Sequence, residues 1–355
     1  MFKFLNNFKI EDKKIGNGCK PYLVAEISAN HNGSLKTALK TIRLAKESGA
    51  DAIKLQTYTP KTMTINVKRK DFYISKGQWK GNYLYDLYKK AHTPLDWHKE
   101  IFDYTKYLGI TCFSSAFDET AVDFLEKHDV PAYKIASFEA TDLELIRYAC
   151  STNKPIIIST GLASKKEIND IIKTVKATKN NKLIILHCVS SYPANFDDYN
   201  LLTMQDIQNK HNVLTGISDH TLNNIVSNTS LSLGACFFEK HFIIKRSMGG
   251  PDSAFSLEPK EFKILKESLL NIYKSLGSPN YNLKGDEKEN IKFRRSIYAI
   301  KDIKKGEKFT KQNIKKIRPG FGLSPKYFLK LINTKAASNI KEGQRILKQN
   351  TKLFK

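Results

Sequence analysis

Eight short apolar runs recur along the first two-thirds of the chain, each followed by a segment with helical spacing. They are YLVAEIS (22–28), AIKLQ (52–56), ITCFS (110–114), AYKIA (132–136), PIIIS (155–159), LIILHC (183–188), VLTGIS (213–218) and CFFEKHF (236–242). Each is rich in β-branched or aromatic residues and too short for an isolated helix, so each predicts a strand. The intervening SLKTALKTIRLAKESG (34–49) has a serine cap candidate and a glycine stop. TPLDWHKEIFDYTKYLG (93–109) opens on Thr-Pro and also ends in glycine. DETAVDFLEKH, DLELIRYAC, KKEINDIIKTVKAT, LTMQDIQNKH, TLNNIVSNTSLSLG and EPKEFKILKESLLNIYKSLG continue the series. Eight strand–helix units predict an α/β fold, the (β/α)8 TIM barrel.

Residues 58–92 are a tyrosine-rich insertion after the second strand, on the face where a barrel places substrate contacts. After Gly277 the character changes. SPNYNLKGDEKENIK (278–292) is polar and reads as a linker. Residues 293–355 carry short β-like pieces with KGE and EGQ turns, which predicts a small β-rich domain. The expected organisation is a barrel over 1–277, a linker over 278–292 and the small domain over 293–355. So small a core gains from docking on something larger.

The net charge of +24 raises the question of nucleic acid. Lysine dominates it and is scattered over helix faces and turns, with no arginine-rich stripe and no basic run interleaved with aromatics. A general positive field that steers anionic substrates is the better reading. No apolar run approaches the roughly 18 residues of a membrane span. The start, MFKFLNNFKIEDKK, is too charged for a secretion signal. Cys19, Cys112, Cys150, Cys188 and Cys236 are odd in number, widely spaced and without a C-x-x-C pair. They read as reduced core residues, and a cytoplasmic location is expected.

The C-terminal ends of the strands, where barrel chemistry resides, are unusually polar. Lys54 and Lys134 lie inside apolar strands. Unpaired buried ammonium groups are costly, so these imply either an anion between them or structural carboxylates. Ser114, Ser115, Ser137, Ser159 and Ser218 supply hydroxyls at neighbouring ends, and together the set reads as a cage for a phosphate or carboxylate. His220 and His241 end consecutive strands. Side by side they suit a divalent transition metal with open positions, or they are hydrogen-bonded polar residues. Glu26 and Glu139 are candidates for a general base or for sugar-hydroxyl contacts. Asp252, in the loop after the last strand, can reach the same mouth. The residues by themselves lead to a barrel enzyme for an anionic small molecule, with the metal question open.

AEISANHNG, KLQTYTP, FSSAFDETAVDFLE, PAYKIASFE, IIISTG, CVSSYP, ISDHT and EKHF, in that order, resemble the sialic acid synthase family. The resemblance spans nearly the whole chain, and the C-terminal segment is similar to that family's antifreeze-like (SAF) domain. Within the family, GGPDSAFSLEP, KLQTYTP and the insertion LYDLYKKAHTPLDWH most resemble the branch that makes pseudaminic acid. The resemblance implies a phosphoenolpyruvate-dependent transferase. It condenses phosphoenolpyruvate with 2,4-diacetamido-2,4,6-trideoxy-L-altrose and water, and releases phosphate by C–O cleavage. A divalent metal, often manganese with magnesium or cobalt as alternatives, polarises the aldehyde.

By the same resemblance, His220 and His241 are the metal ligands. Lys54, Ser114, Lys134, Ser137, Ser159 and Ser218 hold phosphoenolpyruvate. Glu26, Gln56, Tyr192 and Asp252 face the sugar, and Glu139 contacts it and transfers a proton. Arg318 of KKIRPG reaches the sugar from the partner chain of a domain-swapped homodimer. The product would be a nonulosonic acid for surface or flagellar glycosylation. Rival expectations are an N-acetylneuraminate or legionaminate synthase, a basic nucleic-acid binder using residues 278–355, and a catalytically dead sugar-binding module.

Overall fold

The computed structural model describes residues 2–354. The chain divides into two compact units, Met1–Gly277 and Ser278–Lys355.

The first unit opens with an antiparallel hairpin, β1 (Asn7–Ile10) and β2 (Lys13–Gly16). Eight parallel strands then close into a barrel: β3 (Tyr22–Glu26), β4 (Ala52–Thr57), β5 (Thr111–Ala116), β6 (Tyr133–Ile135), β7 (Ile156–Ser159), β8 (Leu183–Cys188), β9 (Leu214–Ser218) and β10 (Phe237–His241). β10 pairs with β3, which closes the ring. All eight coincide with the apolar runs in the sequence, to within two residues at either end. A strand covered by helices on one face and barrel interior on the other is buried on both, so its sequence is a near-continuous apolar run.

Helices follow the strands, and several begin at side-chain caps. Ser34 accepts from the Thr37 N–H, Asp118 from Ala121 and Asp142 from Leu145. Ser164 forms a reciprocal box with Glu167. Each cap satisfies an orphan backbone donor and contributes about 1 kcal/mol. Caps of this kind set where each loop hands over to its helix.

The barrel interior is split by height. Its lower half is filled by Tyr22, Val24, Ala52, Phe113, Ala132, Ile157, Ile184, Leu186, Leu214 and Phe237. Phe8, Ile10 and Ile15 of the hairpin pack into the same cluster, so β1 and β2 plug the N-terminal end. The sequence reading did not expect this hairpin. Its apolar residues are few, alternate with lysines and asparagine, and gain meaning only against the barrel floor.

The second unit pairs β11 (Ser296–Ala299) with β12 (Ile314–Ile317). Its core is Ile297, Ile303, Phe309, Ile314, Leu331, Ile340 and Ile346 with a few neighbours. Residues 278–292 fall in this unit, and Glu287–Asn290 forms a helical turn. Among the described residues, no helix is long and apolar enough to cross a membrane.

Phe113 is fully buried with its ring 6.5 Å from that of Phe237. Phe113→Ala is expected to cost about 3–5 kcal/mol, read as a shift in urea midpoint at constant slope. A loss below about 1 kcal/mol would show that the floor collapses around the gap.

Candidate active site

Strand alternation decides which side chains face the mouth. On β10, Phe237 belongs to the barrel floor, so Glu239 and His241 share its inward face while Phe238 and Lys240 point to the helices. On β5, Phe113 is inward, so Ser115 is inward as well and Ser114 is not. The same count sends Glu26, Lys54, Lys134, Ser159 and Ser218 into the barrel above the apolar floor.

These residues form a buried ionic cluster. Lys54 Nζ lies 2.5 Å from Glu26 Oε2 and 3.2 Å from Glu239 Oε1. Lys134 Nζ lies 3.6 Å from the same Glu239 oxygen. Lys54 donates to Ser115 Oγ at 3.1 Å, and Ser218 Oγ donates to Glu239 at 3.1 Å. Burial penalises every charge here, and the partners decide the outcome. For Glu239 the two lysines outweigh burial and hold the carboxyl down to about 2. For Glu26 burial wins over Lys54, with Glu239 adding repulsion, and its carboxyl is pushed up to about 7. Burial lowers the Lys134 ammonium, and Glu239 offsets this only in part. For Lys54, Glu239 and Glu26 outweigh burial and raise it. Near neutral pH the cluster therefore holds one firm anion, one titrating carboxyl, a Lys54 ammonium that its partners favour and a Lys134 ammonium that burial disfavours. The lysines do pair with carboxylates, one of the two alternatives open from sequence, but they outnumber the firm negative charge.

Several polar atoms in the mouth have no protein partner. Ser159 Oγ, Glu239 Oε2 and Glu139 Oε2 are buried without a hydrogen bond. Burial pushes the Glu139 carboxyl up to about 7. Ser137 Oγ accepts from the Gly161 N–H at 3.2 Å. A Cβ on Gly161 would meet Ser190 Oγ at 2.3 Å and the Cys188 carbonyl at 3.1 Å, so these loops converge closely on this glycine.

His220 and His241 stand side by side with ring centroids 5.4 Å apart. His220 Nδ1 lies 2.9 Å from the Val189 carbonyl, and His241 Nδ1 lies 3.3 Å from Ser28 Oγ. Neither Nε2 makes a hydrogen bond to a described residue. Burial drives the His241 imidazolium well below its ordinary range, reinforced by His220 and the nearby lysines, so the ring stays neutral. At His220 burial is outweighed by Cys188, which raises the ring, so a metal there would have to displace a proton that His241 does not carry. With Nδ1 fixed and Nε2 free, the two rings have the donor arrangement a metal takes. Among the described residues no third His, Cys, Asp or Glu joins them. The pair therefore suits a site whose other positions go to water and substrate.

The Tyr192 ring lies tilted against those of His220 and Phe255, with centroids 4.5 and 5.0 Å away. Asp252 is buried, its Oδ2 3.5 Å from the Ala29 N–H, and burial raises its carboxyl. Gln56 is half-buried on the inward face of β4.

One expectation is corrected. Ser114 faces the helix layer, where its Oγ lies 2.6 Å from Thr57 Oγ1, itself 2.9 Å from His98 Nε2. Ser115 occupies the inward position instead. Adjacent serines carry no signal of which one faces in until the register is fixed by Phe113. Glu239 is the residue that sequence reasoning missed. A carboxylate between phenylalanines and a histidine in FFEKHF carried the same signal as the buried lysines. Arg318 directly follows β12 in the second unit and makes no ion pair with a described residue of that unit.

A cavity of about 520 Å³ lies near the hairpin end of the barrel, lined by Glu11, Asp12, Lys106, Thr111 and His128 among others. It is remote from the ionic cluster, and side-chain convergence rather than volume locates the site.

A family model described as the NeuB family matches residues 41–281. The chain belongs to the NeuB family. A second model, the SAF domain, matches residues 294–350. The resemblance read from AEISANHNG to EKHF, and that of the C-terminal segment, therefore hold. The chain is 43% identical to the pseudaminic acid synthase of Campylobacter jejuni over 96% of this chain and 98% of that protein. It is 44% identical to that of Helicobacter pylori, over 94% and 96% respectively. Among solved structures, the N-acetylneuraminic acid synthetase of Leptospira borgpetersenii, in complex with citrate, is similar with a TM-score of 0.72. Its identity is 29%, covering 83% of this chain and 98% of that one.

In this NeuB-family barrel, Glu239→Gln leaves two buried ammonium groups with one titrating carboxyl. The variant should lose about 3–5 kcal/mol. Because the folded carboxyl sits below its unfolded value of about 4.3, its stabilisation is present above that pH and lost as pH falls toward 2. Denaturant midpoints from pH 3 to 7 should thus rise less steeply in the variant. An unchanged wild-type slope would remove Glu239 from the role of anchoring anion.

Proposed function

We infer that this chain condenses phosphoenolpyruvate with 2,4-diacetamido-2,4,6-trideoxy-L-altrose and water to give pseudaminic acid and phosphate. The observation that carries the reading is 43–44% identity to pseudaminic acid synthases along almost the full chain, against 29% to an N-acetylneuraminic acid synthetase.

The reaction forms a bond from C3 of phosphoenolpyruvate to the aldehyde carbon, whose oxygen takes a proton. Water adds at C2 and gives up a proton; the C2–O bond to phosphate then breaks with its electron pair leaving on phosphate, while the new C2 hydroxyl passes its remaining proton to the phosphate and becomes the keto group. Lys54 and Lys134 would hold the anionic groups of phosphoenolpyruvate, with Ser115 in place of Ser114, and with Ser137, Ser159 and Ser218. The excess of ammonium over firm carboxylate, and the free Ser159 hydroxyl, support this. Glu26, Gln56, Tyr192 and Asp252 would face the sugar.

Two proton transfers need groups that titrate near the working pH. Glu139 and Glu26, both raised to about 7, have that property. Glu139, with a free buried oxygen, is the better placed to serve the aldehyde oxygen. His220 and His241 would hold a divalent metal, manganese in our reading, which supplies Lewis-acid polarisation of the aldehyde when bound.

Arg318 would reach the sugar from the partner subunit of a swapped homodimer. Phe138, Leu162 and Leu222, on the segments after β6, β7 and β9, and Ile225, which opens the helix that follows, are exposed apolar residues that suit a covering domain. A cytoplasmic site of action and use of the product in surface or flagellar glycosylation complete the proposal.

Phosphate release from phosphoenolpyruvate should be measured with manganese and three sugars in parallel: the altrose-configured diacetamido sugar, the legionaminate precursor and N-acetylmannosamine. Release is expected with the first and should vanish on exhaustive chelation. Preference for another sugar would keep the mechanism and overturn the sugar, while turnover that survives chelation would overturn the metal.

Glu139→Gln should lower kcat about 10²–10⁴-fold and leave KM for phosphoenolpyruvate within about twofold. It should also remove the limb near pH 7 from the profile of kcat/KM. A variant that keeps that limb would assign it to another group.

A further inference from the structure

The insertion after β4 is built to cross the barrel mouth. β4 and β8 are four strands apart in the ring, on opposite sides. Within the insertion, Tyr73 and Tyr83 pair antiparallel with rings 5.2 Å apart. The Ile74 N–H donates to Asn82 O, and the Gly81 N–H to Ile74 O, both at 2.9 Å. The resulting hairpin-like tip carries Trp79 between Gly77 and Gly81, whose φ angles of 80° and 93° favour glycine.

The tip reaches two other loops, one of them on the far side. Trp79 Nε1 donates to the Pro251 carbonyl at 2.9 Å, next to Asp252 in the loop after β10. Its ring lies 5.4 Å from that of Tyr192, in the loop after β8. Every other tip residue from Ser75 to Lys80 is exposed, and Trp79 alone is half-buried. Trp79 belongs to none of the hydrophobic core clusters, whereas the chain's other tryptophan, Trp97, packs against the main one. An indole held by one hydrogen bond over an open polar mouth, and continued by Tyr192 and Phe255, is an apolar wall beside His220 and His241.

We propose that Trp79 is a specificity-determining residue that, with Tyr192, forms an apolar wall for the methyl-bearing face of an acylamino sugar. The inference rests on the amino-sugar synthase reading above. The wall takes an acetamido methyl or a deoxy methyl by contact with the ring face. A hydroxyl in the same place would lose its water without gaining a partner there. The wall therefore discriminates by what the sugar lacks, and it leaves phosphoenolpyruvate, held deeper on the lysines, untouched.

The test compares wild type with Trp79→Ala, Trp79→Phe and Gln78→Ala, an exposed neighbour, using the full chain with manganese and the same three sugars. In Trp79→Ala, KM for the diacetamido deoxy sugar should rise on the order of tenfold with KM for phosphoenolpyruvate within about twofold. Its preference over N-acetylmannosamine in kcat/KM should fall by a similar factor. Trp79→Phe keeps a ring but loses the tether, and should recover most of the preference; Gln78→Ala should match wild type. If the alanine variant does not fold, Trp79→Leu reads the same split. Equal rises in both KM values, a fall in kcat alone, or wild-type preference in Trp79→Ala would overturn the proposal. Wild-type turnover with none of the three sugars would instead overturn the reading on which it rests, and this proposal with it.

Discussion

Glu239 is the charge on which the mouth depends. It lies on the inner face of β10 between two lysines from β4 and β6, and its ionisation is what allows both ammonium groups to stay in a sparsely hydrated barrel. Breaking such a pair leaves an uncompensated buried charge, which costs far more than the pair contributes. Glu26 then meets Lys54 from the other side, but burial, with repulsion from Glu239 added, keeps its carboxyl from ionising freely. One site thereby acquires a fixed anion, a titrating carboxyl and two cations. In the proposed reaction, substrate binding and proton transfer would both draw on that inequality.

A second ionic system, on the outer faces of the same strands, aims the histidines. Lys240 lies 3.0 Å from Asp219. Asp219 also accepts from Thr221, Ser227 and Tyr199. Tyr199 in turn accepts the backbone N–H of His220 at 2.9 Å. Alternation thus gives adjacent residues different tasks: Lys240 and Asp219 hold the frame, and His241 and His220 face the mouth.

The loop after β10 is fixed in a similar way. Arg246 forms a two-pronged pair with Glu261 and donates its backbone N–H to Glu258. Asn32 reaches across from the first loop to the carbonyls of Met248 and Gly249, and Asn30 donates to Ser256, whose hydroxyl donates to the Asp252 carbonyl. The basic, glycine-rich stretch is therefore scaffold for Asp252 rather than a contact surface of its own.

The sequence by itself determined the barrel, because eight doubly buried strands must be apolar along their length and helices between them must be amphipathic. It also determined the polarity of the mouth, since lysines inside apolar strands and histidines at consecutive strand ends need polar partners there, whether carboxylates, an anion or a metal. What it left undecided is what depends on register and on distant contacts. Ser114 and Ser115 are interchangeable in a string, and only the packing of Phe113 into the floor turns one outward. Glu239 sat in plain view, but its role needed Lys54 and Lys134, more than a hundred residues away, to converge on one oxygen. The hairpin of β1 and β2 has too few apolar residues to announce itself and exists because the barrel has an open end to fill. Trp79 likewise reads as one aromatic in a polar loop until the loop is seen to span the ring. Local pattern fixes which face each element buries, whereas charge pairing, cavity closure and reach are properties of the assembled ring.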